Sequence, residues 1–361
     1  MASYIEVDVK KLSDFVTEVF KKLNVDEEGA RIIADVLIEA DRRGVESHGV
    51  ARLKRYVDGI KNGVMIPDAK PTIEKETPVS IVANGNGGLG QVITYEITKK
   101  CIEKAKENYI CFAVIRNSNH YGIAGYYPLM ALKEGLIGIS MTNTFPLVVP
   151  TFGKNALIGT NPIAVGVPAD KNPDFLLDMA TSTVPRGKLE VYARKGEKIP
   201  KVWATDENGV PTDDPQKVLD NLKERKGGGL LPLGGGEELT GGHKGYGLGM
   251  IVEIFTGIFA GGSFGPFVYG KKGQPADVCH FVGIINPDAF IGLEKIKEGM
   301  DKLQDTMKNS EKAAGKDRIF IAGEKEYELS LKYRDRVPVQ DKVYSTMEEI
   351  ANELNLKFNI K

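Results

Sequence analysis

Residues 79–116 read V-S-I-V-A-N-G-N-G-G-L-G-Q-V-I-T-Y-E-I-T-K-K-C-I-E-K-A-K-E-N-Y-I-C-F-A-V-I-R. An apolar run reaches Asn84, Gly85, Gly87 and Gly90 follow in G-x-G-x-x-G spacing, and an amphipathic stretch leads to a second apolar run, Ile110 to Ile115. Strand, glycine turn, helix and strand in this order are the written form of a dinucleotide-binding βαβ unit. Two readings compete. A Rossmann turn needs an acidic residue near the end of the second strand to take the ribose hydroxyls. That strand ends instead in Ile115-Arg116-Asn117, and arginine suits a 2′-phosphate. In the other reading the glycines merely supply positive φ and close packing. One such fingerprint in a chain of 41 glycines is weak evidence for the first.

The rest of the chain sets bounds. Its 361 residues are too many for one ordinary core, so two domains are expected. With 42% hydrophobic and 27% charged residues and a net charge of −1, nothing attracts nucleic acid or an anionic membrane. No apolar stretch approaches the roughly 20 residues of a membrane span. Residues 1–6 show no basic segment followed by an apolar one, so no signal peptide is expected. Three cysteines (Cys101, Cys111, Cys279) form no C-x-x-C, which fits a reducing compartment and a cytoplasmic protein. Four histidines (His48, His120, His243, His280) show no ligand spacing, and no metal is expected.

Helical spacing opens the chain. Leu12, Phe15, Val16, Val19, Phe20 and Leu23 follow Asp8 as a cap, and Ala30, Ile33, Ala34, Leu37 and Ile38 follow Asp26. A third helix carries Val50, Leu53, Val57 and Ile60 as far as Gly63. Beyond about residue 70 come β-rich runs at 79–84, 110–116, 136–142, 163–168 and 278–285, with helical stretches at 91–108, 124–134 and 246–259 between them. Residues 227–249 are glycine-rich. The tail reads as helix at 292–312 and 345–354, with a short strand pair around 319–331. The expected fold class is α/β. Residues 71–285 form a central α/β domain, and 1–70 with 286–361 form a discontinuous, mainly helical domain built from both chain ends.

Polar residues gather at four places. In Glu46-Ser47-His48-Gly49-Val50-Ala51-Arg52, and Tyr56 beyond it, His48, Arg52 and Tyr56 share one helix face opposite the apolar stripe. A proton-transfer group, a planar fork for a carboxylate and a phenol are what reduction of a 2-oxo acid requires. The plain alternative is a solvated basic face that includes Arg43, Lys54 and Arg55. Asn117-Ser118-Asn119-His120-Tyr121-Gly122 puts His120 at the C-terminal end of a strand, where α/β sites gather, or leaves it a surface loop histidine. Gly241-Gly242-His243-Lys244-Gly245-Tyr246-Gly247 reads as a pyrophosphate cradle at a helix start or as a hinge. His280, alternating with Cys279 on a strand, reads as a satisfied core histidine.

Taken together and in order, Arg43-Gly44-Val45-Glu46-Ser47-His48-Gly49-Val50, Asn117 to Gly122, Leu157-Ile158-Gly159-Thr160-Asn161-Pro162, Leu177-Asp178-Met179-Ala180-Thr181-Ser182 and Gly242 to Gly247 resemble the malate/L-lactate dehydrogenase family. That family includes sulfolactate, ureidoglycolate and 2,3-diketo-L-gulonate dehydrogenases. The likeness runs from about residue 30 to 330 and is greatest to archaeal-type malate and sulfolactate dehydrogenases. It implies an NAD(P)-dependent oxidoreductase of non-Rossmann fold that interconverts a 2-hydroxy acid (malate, sulfolactate or lactate-like) and its 2-oxo acid. It implies His120 or His48 as the catalytic proton-transfer group, and Ser47, Arg52, Tyr56 and Thr144 on the substrate. Asp178, Met179, Ala180, Thr181, Ser182, His243, Lys244, Gly323, Glu324 and Lys325 would contact NAD or NADP. It further implies a homodimer or larger assembly. Thr144 departs from the pattern, standing where some members have serine. Two other readings stay beside this one: an imine-acid reductase of the same family, and a catalytically silent nucleotide-binding protein.

Overall fold

The computed structural model describes residues 3–269 and 275–361. Strand β1 (Tyr4–Asp8) runs into α1 (Val9–Lys22), where the Asp8 carboxylate accepts from the Lys11 amide at 2.9 Å. Asp26 caps α2 (Glu27–Arg42) in the same way, 2.7 Å from the Gly29 amide. The apolar stripes of both helices are buried, so the caps and the periodicity agree. The expected third helix is broken. Two 3-10 turns, Glu46–His48 and Val50–Arg52, precede α3 (Leu53–Lys61). At Gly49 the backbone turns outward, and a Cβ there would collide with the Asp41 carboxylate. Asp41 is buried and accepts the Val50 amide at 2.8 Å. The chain folds around that carboxylate instead of continuing as a helix.

The sheet follows. β2 (Thr72–Thr77) and β3 (Ser80–Asn84) lead to α4 (Gly90–Asn108) and β4 (Ile110–Ser118); α5 (Tyr126–Leu132) then precedes β5 (Ile137–Thr142), β6 (Ile163–Val167) and β7 (Phe175–Met179). An excursion of α6 (Arg186–Lys195), β8 (Ala204–Thr205), α7 (Pro215–Glu224) and β9 (Gly229–Leu230) closes on its own small core, including Leu189, Val218 and Leu222. Next come α8 (Gly242–Glu253), which runs on as a π-helical turn over 254–258, and β10 (Val278–Ile285). The chain finishes with α9 (Leu293–Lys308), α10 (Glu324–Lys332), β11 (Arg336–Gln340) and α11 (Asp341–Glu353).

Seven strands lie in the order β2-β3-β4-β10-β5-β6-β7. Only β3 and β4 pair in parallel; every other neighbouring pair in this sheet is antiparallel. A doubly wound Rossmann sheet is mostly parallel, so the fold is mixed α/β of another type. The glycine turn does different work. A Cβ on Gly90 would collide with the carbonyl oxygen of Asn119, and the buried Asn119 amide donates to the Gly87 and Gly88 carbonyls, 2.9 Å each. The glycines bring the start of α4 against the loop that carries His120. Arg116 is paired with Glu74 at 2.6 Å, so its charge already has a partner.

The short strand pair expected around 319–331 is absent: α10 occupies most of that range. The pairing that does exist joins the two ends, β1 with β11, Val7 opposite Val337. One buried cluster accordingly combines α1, α2 and α3 with β11 and α11. α9 lies elsewhere, and α10 reaches from β7 to the end of α2, where the Arg42 guanidinium donates to the Ser330 carbonyl at 3.2 Å. Asp301 on α9 accepts backbone amides from 170–172, and Gly323, just before α10, lies against Leu176 of β7. Among the described residues no helix is long and apolar enough to cross a membrane, and no group of three or more His, Cys, Asp and Glu side chains is placed to hold a metal ion.

Candidate active site

The loop after β4 and the broken segment 46–52 meet above the sheet. His120 Nδ1 lies 2.6 Å from the hydroxyl of Tyr56, a fully buried side chain of α3. His48 Nδ1 lies 2.9 Å from Ser47 Oγ, and Arg52 Nε donates to the Ser47 carbonyl at 2.6 Å. The imidazoles of His48 and His120 stack, with ring centroids 5.4 Å apart. The 3-10 turns thus bring together the residues that a straight helix was expected to align.

Electrostatics follow from burial and from neighbouring guanidinium groups. Burial first, then Arg52 and Arg55, push His48 down to about 4. Burial, Arg55 and His48 hold His120 well below the usual histidine range. Burial pushes the Tyr56 phenol up to about 12. Both imidazoles are therefore neutral near pH 7. Each Nδ1 faces a hydroxyl, that of His120 also the Gly122 amide at 3.4 Å, and among the described residues neither Nε2 has a hydrogen-bond partner. Such rings can take up a proton from a reacting hydroxyl.

A cleft of about 520 Å³ is lined by Ser47, His48, Arg52, His120 and Thr144, with Tyr56 behind His120. Thr144 Oγ1 accepts the Thr160 amide at 3.1 Å, which anchors that wall. Arg55, Arg186, Glu190 and Tyr269 complete the cleft, and sequence reasoning missed them. Arg55 follows Arg52 by one turn and reads as surface charge, yet it is half-buried and donates to the Tyr269 hydroxyl at 3.1 Å. Nothing in the spacing marks Arg186, which enters the site only because α6 starts there.

A second cleft, about 530 Å³, shares Ser47, His48, Thr160 and Pro162 with the first. Its walls are mostly apolar, with Val45, Ile123, Leu176 and Phe320 among them, and Asp178, Ala180, Gly323 and Lys325 line it too. Asp178 keeps solvent contact along the cleft while surrounding protein desolvates its carboxyl and pushes it up to about 6, against the Gly125 amide that donates to it at 2.7 Å. Gly323, at φ +85°, has no room for a Cβ against the Leu176 carbonyl. The size and apolar walls fit the flat rings of a nicotinamide dinucleotide. Other residues expected at the cofactor stand back from the cleft. The Thr181 and Ser182 hydroxyls are buried and donate to backbone carbonyls, Glu324 pairs with Lys308 at 2.8 Å and Arg318 at 3.0 Å, and Met179 lies on β7 outside the lining. His243 and Lys244 are exposed on the first turn of α8 and line neither cleft. His280 is the satisfied core histidine expected: its two nitrogens lie 2.8 Å from Thr142 Oγ1 and 2.9 Å from Ser118 Oγ.

A cationic pocket with two neutral imidazoles, opening onto an apolar slot of dinucleotide size, defines an oxidoreductase acting on small hydroxy or oxo acids. A family model described as "Malate/L-lactate dehydrogenase" matches residues 7–348, and the chain belongs to that family. It is 47% identical over 357 residues to a malate dehydrogenase of Pyrococcus horikoshii, covering 98% of this chain and 97% of that one. A malate/(S)-sulfolactate dehydrogenase of Methanothermus fervidus is 40% identical over 347 residues, 95% of this chain and 96% of its own. The crystal structure of malate dehydrogenase from Entamoeba histolytica superimposes with a TM-score of 0.94 at 39% identity, covering 99% of this chain and 100% of that one. The protein is a 2-hydroxy acid dehydrogenase, and its family works with nicotinamide cofactors.

Proposed function

We propose that the substrate carries a second anionic group, as malate and sulfolactate do, and that NAD or NADP occupies the apolar cleft. The supporting observation is the charge of the first cleft. Arg52, Arg55 and Arg186 converge there, and Arg186 alone of the three is paired with a carboxylate among the described residues, that of Glu190 at 3.1 Å. A monoanionic acid would leave much of that positive charge uncompensated. In this reading Arg52 forks the C1 carboxylate, Arg55 faces the distal anion with the Arg186–Glu190 pair beside it, and Ser47 and Thr144 orient the remainder. His120, in the tautomer whose Nδ1–H donates to the Tyr56 oxygen, accepts the proton of the C2 hydroxyl at its free Nε2 and returns it in the reverse direction. His48 closes the boundary between the clefts. A bound nicotinamide would supply hydride-transfer chemistry at C2, and Asp178, Ala180, Gly323 and Lys325 would hold that nucleotide. Met250, Ile251, Ile254, Ile258 and Phe259, exposed along α8 and its π-turn, support a homodimer joined there.

The test is a panel of oxaloacetate, sulfopyruvate, pyruvate and a cyclic imino acid, each assayed with NADH and NADPH. One extra charged hydrogen bond is worth about 1.5–3 kcal/mol, so kcat/KM for at least one dianion should exceed that for pyruvate by roughly ten- to hundredfold. Preference for pyruvate would end the second-anion assignment. Faster reduction of the imino acid would replace the dehydrogenase reading with the reductase one.

A further inference from the structure

Cys101 on α4 and Cys111 on β4 take no part in the chemistry above. Both are fully buried in the cluster between α4 and the sheet, and their Sγ atoms lie 3.3 Å apart. That separation is hydrogen-bonding contact between two thiols, and a covalent bond of about 2.05 Å needs the sulfurs to close by about 1 Å. The third cysteine, Cys279, sits on β10, its Sγ 3.6 Å from the Ser263 carbonyl and 3.7 Å from Asp277 Oδ1. We propose that Cys101 and Cys111 are a modification site: a low-molecular-weight disulfide oxidises them to an internal disulfide that staples α4 to β4.

The step balances. The Cys111 thiolate attacks one sulfur of the small disulfide, whose S–S bond breaks and releases one small thiolate. The Cys101 thiolate then attacks Cys111 Sγ in the mixed disulfide and expels the second. Two protein thiols are oxidised, one small disulfide is reduced to two thiols, and those thiols carry away the two cysteine protons. The contact with Cys101 holds the Cys111 thiol below the usual range, which favours it as the attacking sulfur. Access comes through opening of the turn between the two elements, where Tyr109 is exposed at φ +70°. Local opening of such a turn costs less than global unfolding. The staple would fix the βαβ unit whose other end abuts the His120 loop.

Folded protein is incubated with oxidised glutathione at rising temperatures below its melting midpoint, then denatured, alkylated and analysed by mass spectrometry. The expected product lacks two hydrogen atoms, yields a linked Cys101–Cys111 peptide and leaves Cys279 alkylated. Its melting midpoint should rise by about 3–5 °C, as closure of a short loop in a chain of this size implies. The Cys279→Ser variant should behave identically, while Cys111→Ser, or Cys111→Ala should the serine variant fail to fold, should show no rise. Three alkylated cysteines, or a persistent glutathione adduct without an internal link, overturns the proposal.

Discussion

His120 is held neutral by burial and by the guanidinium groups of Arg55 and Arg52, the groups proposed above to receive the substrate. In that proposal the two roles oppose each other until the acid arrives, because an anion bound by Arg52 and Arg55 would also offset the field that repels a proton from the imidazole. The pH dependence of kcat/KM reports the free enzyme. With His120 far below neutrality there, kcat/KM for reduction of the 2-oxo acid should fall about tenfold per unit between roughly pH 7 and 9. Oxidation of the 2-hydroxy acid should stay flat over the same range, since the accepting form is already full. Initial rates in both directions across that range check this. The opposite pattern, a flat reduction limb and a rising oxidation limb, would mean that the proton-transfer group titrates above neutrality.

At the scale of elements, the G-x-G-x-x-G turn separates pattern from meaning. Strand, helix and strand were all legible in residues 79–116, because alternation and helical periodicity are local properties. What the glycines approach was not legible: the nearest backbone belongs to Asn119 and His120, which the rest of the sheet brings in. Gly90→Ala overpacks that contact, a change worth about 1–3 kcal/mol. The melting midpoint should drop by a few degrees and kcat should fall, while the KM of the nucleotide holds. Thermal melts and steady-state kinetics measure both. A selective rise in the nucleotide KM at an unaltered midpoint would return the pyrophosphate to this turn. The segment 46–52 teaches the same lesson. Its apolar and polar residues spell one helix, and the structure breaks it at Gly49 because the buried Asp41, distant in the pattern, occupies the space a Cβ would need. His48, Arg52 and His120 were readable as residue types suited to acid chemistry; Arg55 and Arg186 were not, since half-buried and solvated arginines look alike in a sequence. The strand pair expected near 319–331 failed for a related reason. β1 and β11 are each five residues long and acquire their partners only from the opposite end of the chain.

For the whole molecule, Met250, Ile251, Ile254, Ile258 and Phe259 form a row of exposed apolar side chains along one helical segment, the kind of surface an interface covers. Sedimentation velocity should show the wild-type protein as a dimer. Ile258→Glu would set two uncompensated carboxylates in the contact and should weaken association by at least about a hundredfold. A monomeric wild type, or an unaltered dimer in the variant, would move the interface elsewhere. The pairing of β1 with β11 has another bearing, on the order of events during synthesis. The helices that present His48, Arg52 and Tyr56 are covered by Val337, Val339, Met347, Ile350 and Ile360, and the Asp8 amide donates to the Ile360 carbonyl at 2.9 Å. While the ribosome is still translating the middle of the chain, those first helices wait without their cover, although their own residues emerged long before. Residues 336–360 complete the core on which those helices rest, so the first helices to be made gain their cover only after the middle of the chain has been synthesised.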